Sequence, residues 1–172
     1  MSSQLRVNEL QNLNGTTGMT IDTSGFTLPK SVAFQATHNA SLTLNNAAET
    51  QFALDTTVFD PAGIVDLSNN RVGITAATAG LYWLSFVCRL ANSAPNRQVV
   101  YIKVNGTERL MAEENSASSG SSGSQSVMTS GLLNLVAGDL ITYHVYHNHG
   151  SNRDIEHYVS ASRVEGYRVG TL

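Results

Sequence analysis

Residues 80–90 read Gly-Leu-Tyr-Trp-Leu-Ser-Phe-Val-Cys-Arg-Leu, and this stretch constrains the fold more than any other in the 172-residue chain. Taken with a period of two, Tyr82, Leu84, Phe86, Cys88 and Leu90 fall on one side; Leu81, Trp83, Ser85, Val87 and Arg89 fall on the other. A strand places alternate side chains on opposite faces. The first side is apolar throughout and belongs in a core. The second carries Trp83 and Val87 and is partly apolar as well, so it also needs a cover. Cys88 is the single cysteine. It has no partner for an internal disulfide, and its place on the apolar side reads as packing.

From Ser31 onward the chain alternates short β-branched or aromatic runs with turns, and no stretch carries a helical period. The runs are SVAFQAT, ASLTL, TQFALDTTVFD, RVGIT, GLYWLSFVCRL, RQVVYIKVNG, TERLMAEE, SVMTSGLLNLV, DLITYHVYH and HYVSASRVEGYRV. Asn105-Gly106 centres a tight hairpin, VAGDL at 136–140 is a second turn, and the Ser/Gly-rich residues 114–126 form a flexible loop between strands. Many short strands with regular turns predict an all-β, antiparallel jelly-roll sandwich.

Charge and hydropathy narrow the partners. A net charge of −3 argues against nucleic acid, which requires a basic stripe. No apolar run reaches the roughly 20 residues of a membrane helix, so no membrane insertion is expected. The opening MSSQLRVNEL lacks the basic-then-apolar layout of a signal peptide. Synthesis in a cytoplasm is the simplest expectation.

Residues 1–30 differ in character from the rest of the chain. Leu5, Val7, Leu10 and Leu13 are irregularly spaced and too few to build a core. GMTIDTSGFTLP then sets Met19 and Ile21 against Phe26 and Leu28 around Asp22-Thr-Ser-Gly25, a hairpin-like signal. Two readings stay open: a hairpin docked on the main domain, or an extended or hairpin attachment arm that folds against a partner.

Four stretches, in order, resemble the complement C1q and tumour-necrosis-factor-like jelly rolls. Ile74 followed by Gly80-Leu-Tyr82-Trp-Leu84-Ser-Phe86 resembles the family's G-x-Y-x-F-x-F strand, with Ile74 and Leu84 standing where Phe is usual. VAFQA at 32–36 is similar to the opening strand, and LNLVAGDLITYHV at 133–145 to the strand entered through Gly-Asp. SASRVEGYRV at 160–169, with Gly166-Tyr167, is similar to the closing strand. The resemblance covers about residues 31–170 and implies a C1q/TNF-like head over 31–172 that assembles as a homotrimer. In such a trimer Trp83 and Val87 would lean on a neighbouring subunit or on the N-terminal segment. The collagen-like stalk of many animal members is missing. Instead, residues 1–30 resemble N-terminal segments of small bacteriophage virion proteins, with the similar stretch Gly15-Thr-Thr-Gly18-Met-Thr-Ile-Asp22. That implies a virion protein assembled in the host cytoplasm and attached to other virion proteins through Leu5, Val7, Leu10 and Leu13.

Catalytic arrangements are not found. Glu113 and Glu114 are adjacent, so on a strand they point to opposite faces. No serine sits in a Gly-x-Ser-x-Gly elbow, and the Ser/Gly loop lacks the lysine and helix of a phosphate loop. The chain is read as a non-enzyme with no cofactor. In HVYHNHGSNRDIEH, His147 and His149 share a face, and imidazoles are common ligands for divalent metals. Such a pair repeated about a threefold axis resembles the metal sites of some trimeric phage fibres; the alternative is a polar strand end and loop whose histidines face water or hydrogen-bond locally. His144 points the other way. The exposed loops carry Asn92, Asn96, Asn148, Asn152 and Arg153, whose side chains suit sugar hydroxyls. The expected function is a trimeric short tail fibre or spike whose outward head binds a host-surface glycan or protein. The alternatives are a capsid decoration or head-fibre protein without a specific receptor, and a bacterial surface lectin-like module.

Overall fold

The computed structural model describes residues 9–11, 17–22, 25–27, 32–40, 42–91, 96–115 and 123–171. The chain divides into two compact units, 1–31 and 32–172. In the first, β1 (Glu9–Gln11), β2 (Thr17–Asp22) and β3 (Gly25–Thr27) form an antiparallel three-stranded sheet in that order. Asp22 pairs with Gly25 and Ile21 with Phe26, the register of a hairpin.

The second unit holds the remaining strands: β4 (Ala33–Thr37), β5 (Thr43–Leu44), β6 (Ala48–Gln51), β7 (Thr56–Phe59), β8 (Val65–Asp66), β9 (Arg71–Gly73), β10 (Gly80–Leu90), β11 (Arg97–Val104), β12 (Thr107–Asn115), β13 (Gln125–Leu135), β14 (Leu140–His147), β15 (Arg153–Asp154) and β16 (Arg163–Gly170). One sheet runs β13-β10-β16-β4-β7; the other runs β12-β11-β14-β9-β8, with β6 also on β14. Every described pairing is antiparallel. The described helical content is one short 3-10 turn at Leu67–Asn69, and no described helix is long and apolar enough to cross a membrane.

The sandwich closes because alternation supplies one apolar face per sheet. Tyr82, Leu84, Phe86, Cys88 and Leu90 are all fully buried, each large side chain contributing about 1.5–3 kcal/mol by leaving water. Across the interior they meet Val100, Ile102, Ile141, Tyr143 and Val145 of the second sheet. Phe86 links the layers: its ring lies 5.2 Å from Phe52 and 5.5 Å from Tyr143. Gly166 and Gly131 flank Leu84 in the two adjoining ladders. Burial pushes the Cys88 thiol up to about 12, as expected of a packing cysteine rather than a reactive one.

The Asn105-Gly106 turn has φ of 52° and 78°. Both central residues of this tight hairpin therefore have positive φ, which Asn and Gly tolerate best. Asn105 Nδ2 also donates to Asp139 Oδ1 at 2.8 Å, and its Oδ1 accepts from Leu140 N at 2.9 Å. These bonds tie the turn to its neighbour at Val136–Asp139.

Two stretches differ from the sequence reading. TQFALDTTVFD is not one strand. Phe52 N bonds Tyr143 O in one sheet, while Asp55 N bonds Thr37 O beside the other, so the chain crosses from β6 to β7 between the layers. HYVSASRVEGYRV is a strand only from Arg163. The preceding residues turn, with the N–H groups of Ala161 and Ser162 both bonded to Tyr158 O. The Ser/Gly stretch at 116–122 lies outside the described residues.

Candidate functional site

Register decides what the second face of β10 meets. Trp83 is paired with Leu132 of β13 on one side and Tyr167 of β16 on the other. Val87 is paired with Met128. Directly opposed residues share a face, so Leu132, Trp83 and Tyr167 form an apolar row across three strands. Val87 and Met128 form a second, shorter apolar pair on the same face, beyond the polar row Ser130, Ser85 and Glu165. Leu132 is 57% exposed, Met128 58% and Tyr167 47%. The Trp83 and Tyr167 rings lie 5.5 Å apart. A polar strip borders the row: Gln35 Nε2 donates to Glu165 Oε2 at 2.9 Å, and Arg163 pairs with the same oxygen at 3.2 Å.

The outer face of the second sheet is built oppositely. Glu49 Oε1 receives both Lys103 Nζ at 2.5 Å and His144 Nδ1 at 2.9 Å, and Arg97 pairs with Glu113 at 2.8 Å. Arg97 and Lys103 also lie over the rings of Tyr146 and Tyr101. That face satisfies itself. The five-stranded sheet leaves Leu132, Tyr167 and Met128 exposed around its polar strip, a surface suited to another protein.

Of the residues singled out in the sequence, Trp83 and Val87 lie half-buried on this face. Leu132, Met128 and Tyr167, which complete it, escape a reading of the sequence alone. Their signal is the alternation in SVMTSGLLNLV and the position after Gly166, but only the pairing register unites them. Leu5, Val7, Leu13 and Asn92 lie outside the described residues, and Leu10 sits on β1.

Asn96 is exposed. The other loop candidates hold their own loop together. Asn148 Oδ1 accepts from Arg97 N at 3.0 Å, and Asn152 Oδ1 from Asn46 N at 3.0 Å. Arg153 donates to Ser151 Oγ at 2.7 Å and more weakly to the Asn152 and His149 carbonyls.

The axial metal expectation is corrected. His147 continues the inward series Ile141, Tyr143, Val145 and is fully buried, and His149 is 4% exposed. Their rings stack at 5.3 Å inside one protomer, where imidazoles of other copies have no access. Of the alternative, the histidines do not face water but do hydrogen-bond locally. His147 Nε2 donates to the Leu44 carbonyl at 3.3 Å, and its Nδ1 accepts a long bond from His149 N at 3.5 Å. This assigns the neutral Nε2-H tautomer. Burial, reinforced by the nearby charge of Arg153, holds the His147 pKa below 6.5. Among the described residues no group of three or more His, Cys, Asp or Glu side chains is placed to hold a metal ion.

Two packed antiparallel sheets with this strand order define a jelly roll. Its likenesses among solved structures include animal domains of the TNF and C1q kind. Eiger TNF from S. frugiperda superposes with a TM-score of 0.67 at 12% identity, over 83% of this chain and 94% of that one. Murine APRIL gives 0.63 at 12%, over 81% and 100%. The globular domain of zebrafish complement 1qA gives 0.55 at 13%, over 81% and 98%. At these identities the likeness shows the fold. No protein-family model and no curated protein matches the sequence.

Proposed function

We propose that this chain is a bacteriophage virion structural protein, a trimeric short tail fibre or spike. Residues 1–30 attach it to the particle, and the jelly-roll head binds the host surface rather than catalysing a reaction. The observation that carries the assembly is the row Leu132–Trp83–Tyr167, with Val87 and Met128 on the same face beyond one polar row. In a second copy's contact it leaves water, which is the dominant favourable term in association. The resemblance to C1q- and TNF-like heads supplies the number three. The virion placement rests on the resemblance of Gly15–Asp22 and its flanks to phage N-terminal segments.

Trp83→Glu tests the assembly. Trp83 is half-buried on the sheet's outer face, so the isolated head retains its fold, whereas a charge in an apolar contact is strongly disfavoured. In sedimentation the variant runs as a monomer at concentrations where the wild type is trimeric. A stably trimeric, folded variant sinks the interface. Immunogold labelling of assembled particles tests placement. Label at the tail supports the fibre, label over the capsid replaces it with a decoration role, and label off the particle removes the virion reading.

A further inference from the structure

One end of the sandwich holds a hollow of about 330 Å³ between the β11–β12 hairpin and the β13–β14 turn. Its lining is mostly polar, with Val136 as the exposed apolar side chain and Leu133 nearly buried beside it. Its rim carries Thr107, Arg109 and Asn134. None of these three side chains has a hydrogen-bond or ion-pair partner among the described residues. Elsewhere the described cations are spent: Arg71, Arg89, Arg97, Lys103 and Arg163 on carboxylates, and Arg153 and Arg168 on hydroxyl or carbonyl oxygens.

Arg109 reaches this place through a break in the ladder. Ile102 pairs with Leu110 and Lys103 with Glu108, so Arg109 is the extra residue of a β-bulge. A bulge bends its strand and re-aims a side chain. Asp139 also lines the hollow, but its oxygens already accept from Asn105 Nδ2 and Val136 N, each at 2.8 Å. It fixes the two turns, and its charge opposes a ligand of high negative charge.

We propose that this hollow binds an acidic sugar. Arg109 receives the carboxylate as a bidentate pair. Thr107 and Asn134 exchange hydrogen bonds with ring hydroxyls, and the C–H face of the ring lies on Val136. The volume suits a monosaccharide. A singly charged carboxylate is preferred to phosphate, because Asp139 lies in the same hollow. The assignment deepens, and rests on, the reading of the head as a host-surface binder.

The test is an NMR titration of the whole protein with galacturonate, N-acetylneuraminate, galactose and inorganic phosphate. At least one acid saturates the protein, while galactose and phosphate bind about tenfold more weakly or not at all. Arg109→Gln weakens the acid about tenfold or more, the loss of one charge-assisted pair. Arg109→Lys retains part of the affinity, keeping charge without the fork. Arg109 is exposed, and an unchanged melting temperature verifies that the variants are folded. Failure of both acids to bind, equal binding of phosphate, or an undiminished Arg109→Gln overturns the site. If this occurs while gold labels the tail, the sugar assignment alone falls. If sugar binding holds and label is off the particle, the virion reading alone falls.

Discussion

A Cβ added at Gly166 would sit 2.6 Å from Leu84 Cδ2 and 2.8 and 2.9 Å from Phe34 Cε1 and Cζ. Both neighbours are fully buried, so neither side chain has free space to yield into. Gly166→Ala thus overpacks the interior of the five-stranded sheet, at a cost of order 2–3 kcal/mol. Against this, alanine is favoured over glycine in a strand by about 0.5–1 kcal/mol. The net loss is about 1–2.5 kcal/mol, or a fall in melting temperature of roughly 2–10 °C for a unit of this size. Gly131 supplies the control. The three atoms nearest its added Cβ all belong to the Leu110 side chain, the closest being the terminal Cδ2 at 2.7 Å, and Leu110 is half-buried rather than enclosed. Gly131→Ala therefore stays within about 0.5 kcal/mol of wild type. Urea unfolding of the three proteins at one matched concentration measures the difference. Trimming the obstacle with Leu84→Ala relieves part of the Gly166→Ala cost, so the two changes are non-additive. A Gly166→Ala protein as stable as wild type, or strict additivity, refutes the packing described for this sheet.

Three further outcomes are expected from the same geometry. His147 is neutral in the fold with a pKa below 6.5, so the unfolded chain takes up the proton first. The associated stability is complete above pH 6.5 and is lost as pH falls from there through the depressed folded value. Melting temperature against pH drops less steeply in His147→Gln, and superimposable curves would remove His147 as a cause. Cys88, buried with its thiol pushed up to about 12, reacts with an aromatic disulfide reagent only at the rate of unfolding; labelling at the speed of a free thiol contradicts its place in the core. The proposed function, rather than the geometry, predicts that a chain beginning at Ser31 remains soluble, all-β and trimeric but no longer joins particles, with circular dichroism, sizing and incorporation assays as the measurements. Unfolding of that chain would make the first thirty residues part of the head.

Much of the fold is legible in single strands. The period of two in residues 80–90 places every large apolar side chain correctly between inside and outside, because one strand's alternation is a local property. The same property hides the crossing at residues 52–55. Phe52 and Leu54 keep alternating into the core while the chain changes sheets, and nothing local distinguishes one sheet from the other. His147 misleads for a different reason. Its chemistry suggests a ligand or a solvated ring, although Ile141, Tyr143 and Val145 at two-residue steps point inward, and periodicity is the better guide. The apolar row requires non-local knowledge. Trp83, Leu132 and Tyr167 are far apart in sequence and become one surface only through two registers. Arg109 is likewise invisible without the bulge that reorients it.

The position of β16 has a consequence for synthesis. It pairs with both β10 and β4, so the five-stranded sheet has its last-made strand near its middle. Gln35 and its partner Glu165 are 130 residues apart in the chain. Until that distance has been translated, which takes on the order of ten seconds at ordinary ribosomal speeds, β4 and β7 have each other but no bond to the rest of their sheet. The head therefore cannot complete its sandwich strand by strand as it is made. Its apolar faces wait for the C-terminal strand, and closure falls late, through pairings of long sequence separation that form slowly. Substitutions in Arg163–Gly170 should consequently depress yield of soluble protein more than equal losses of stability placed elsewhere in the head.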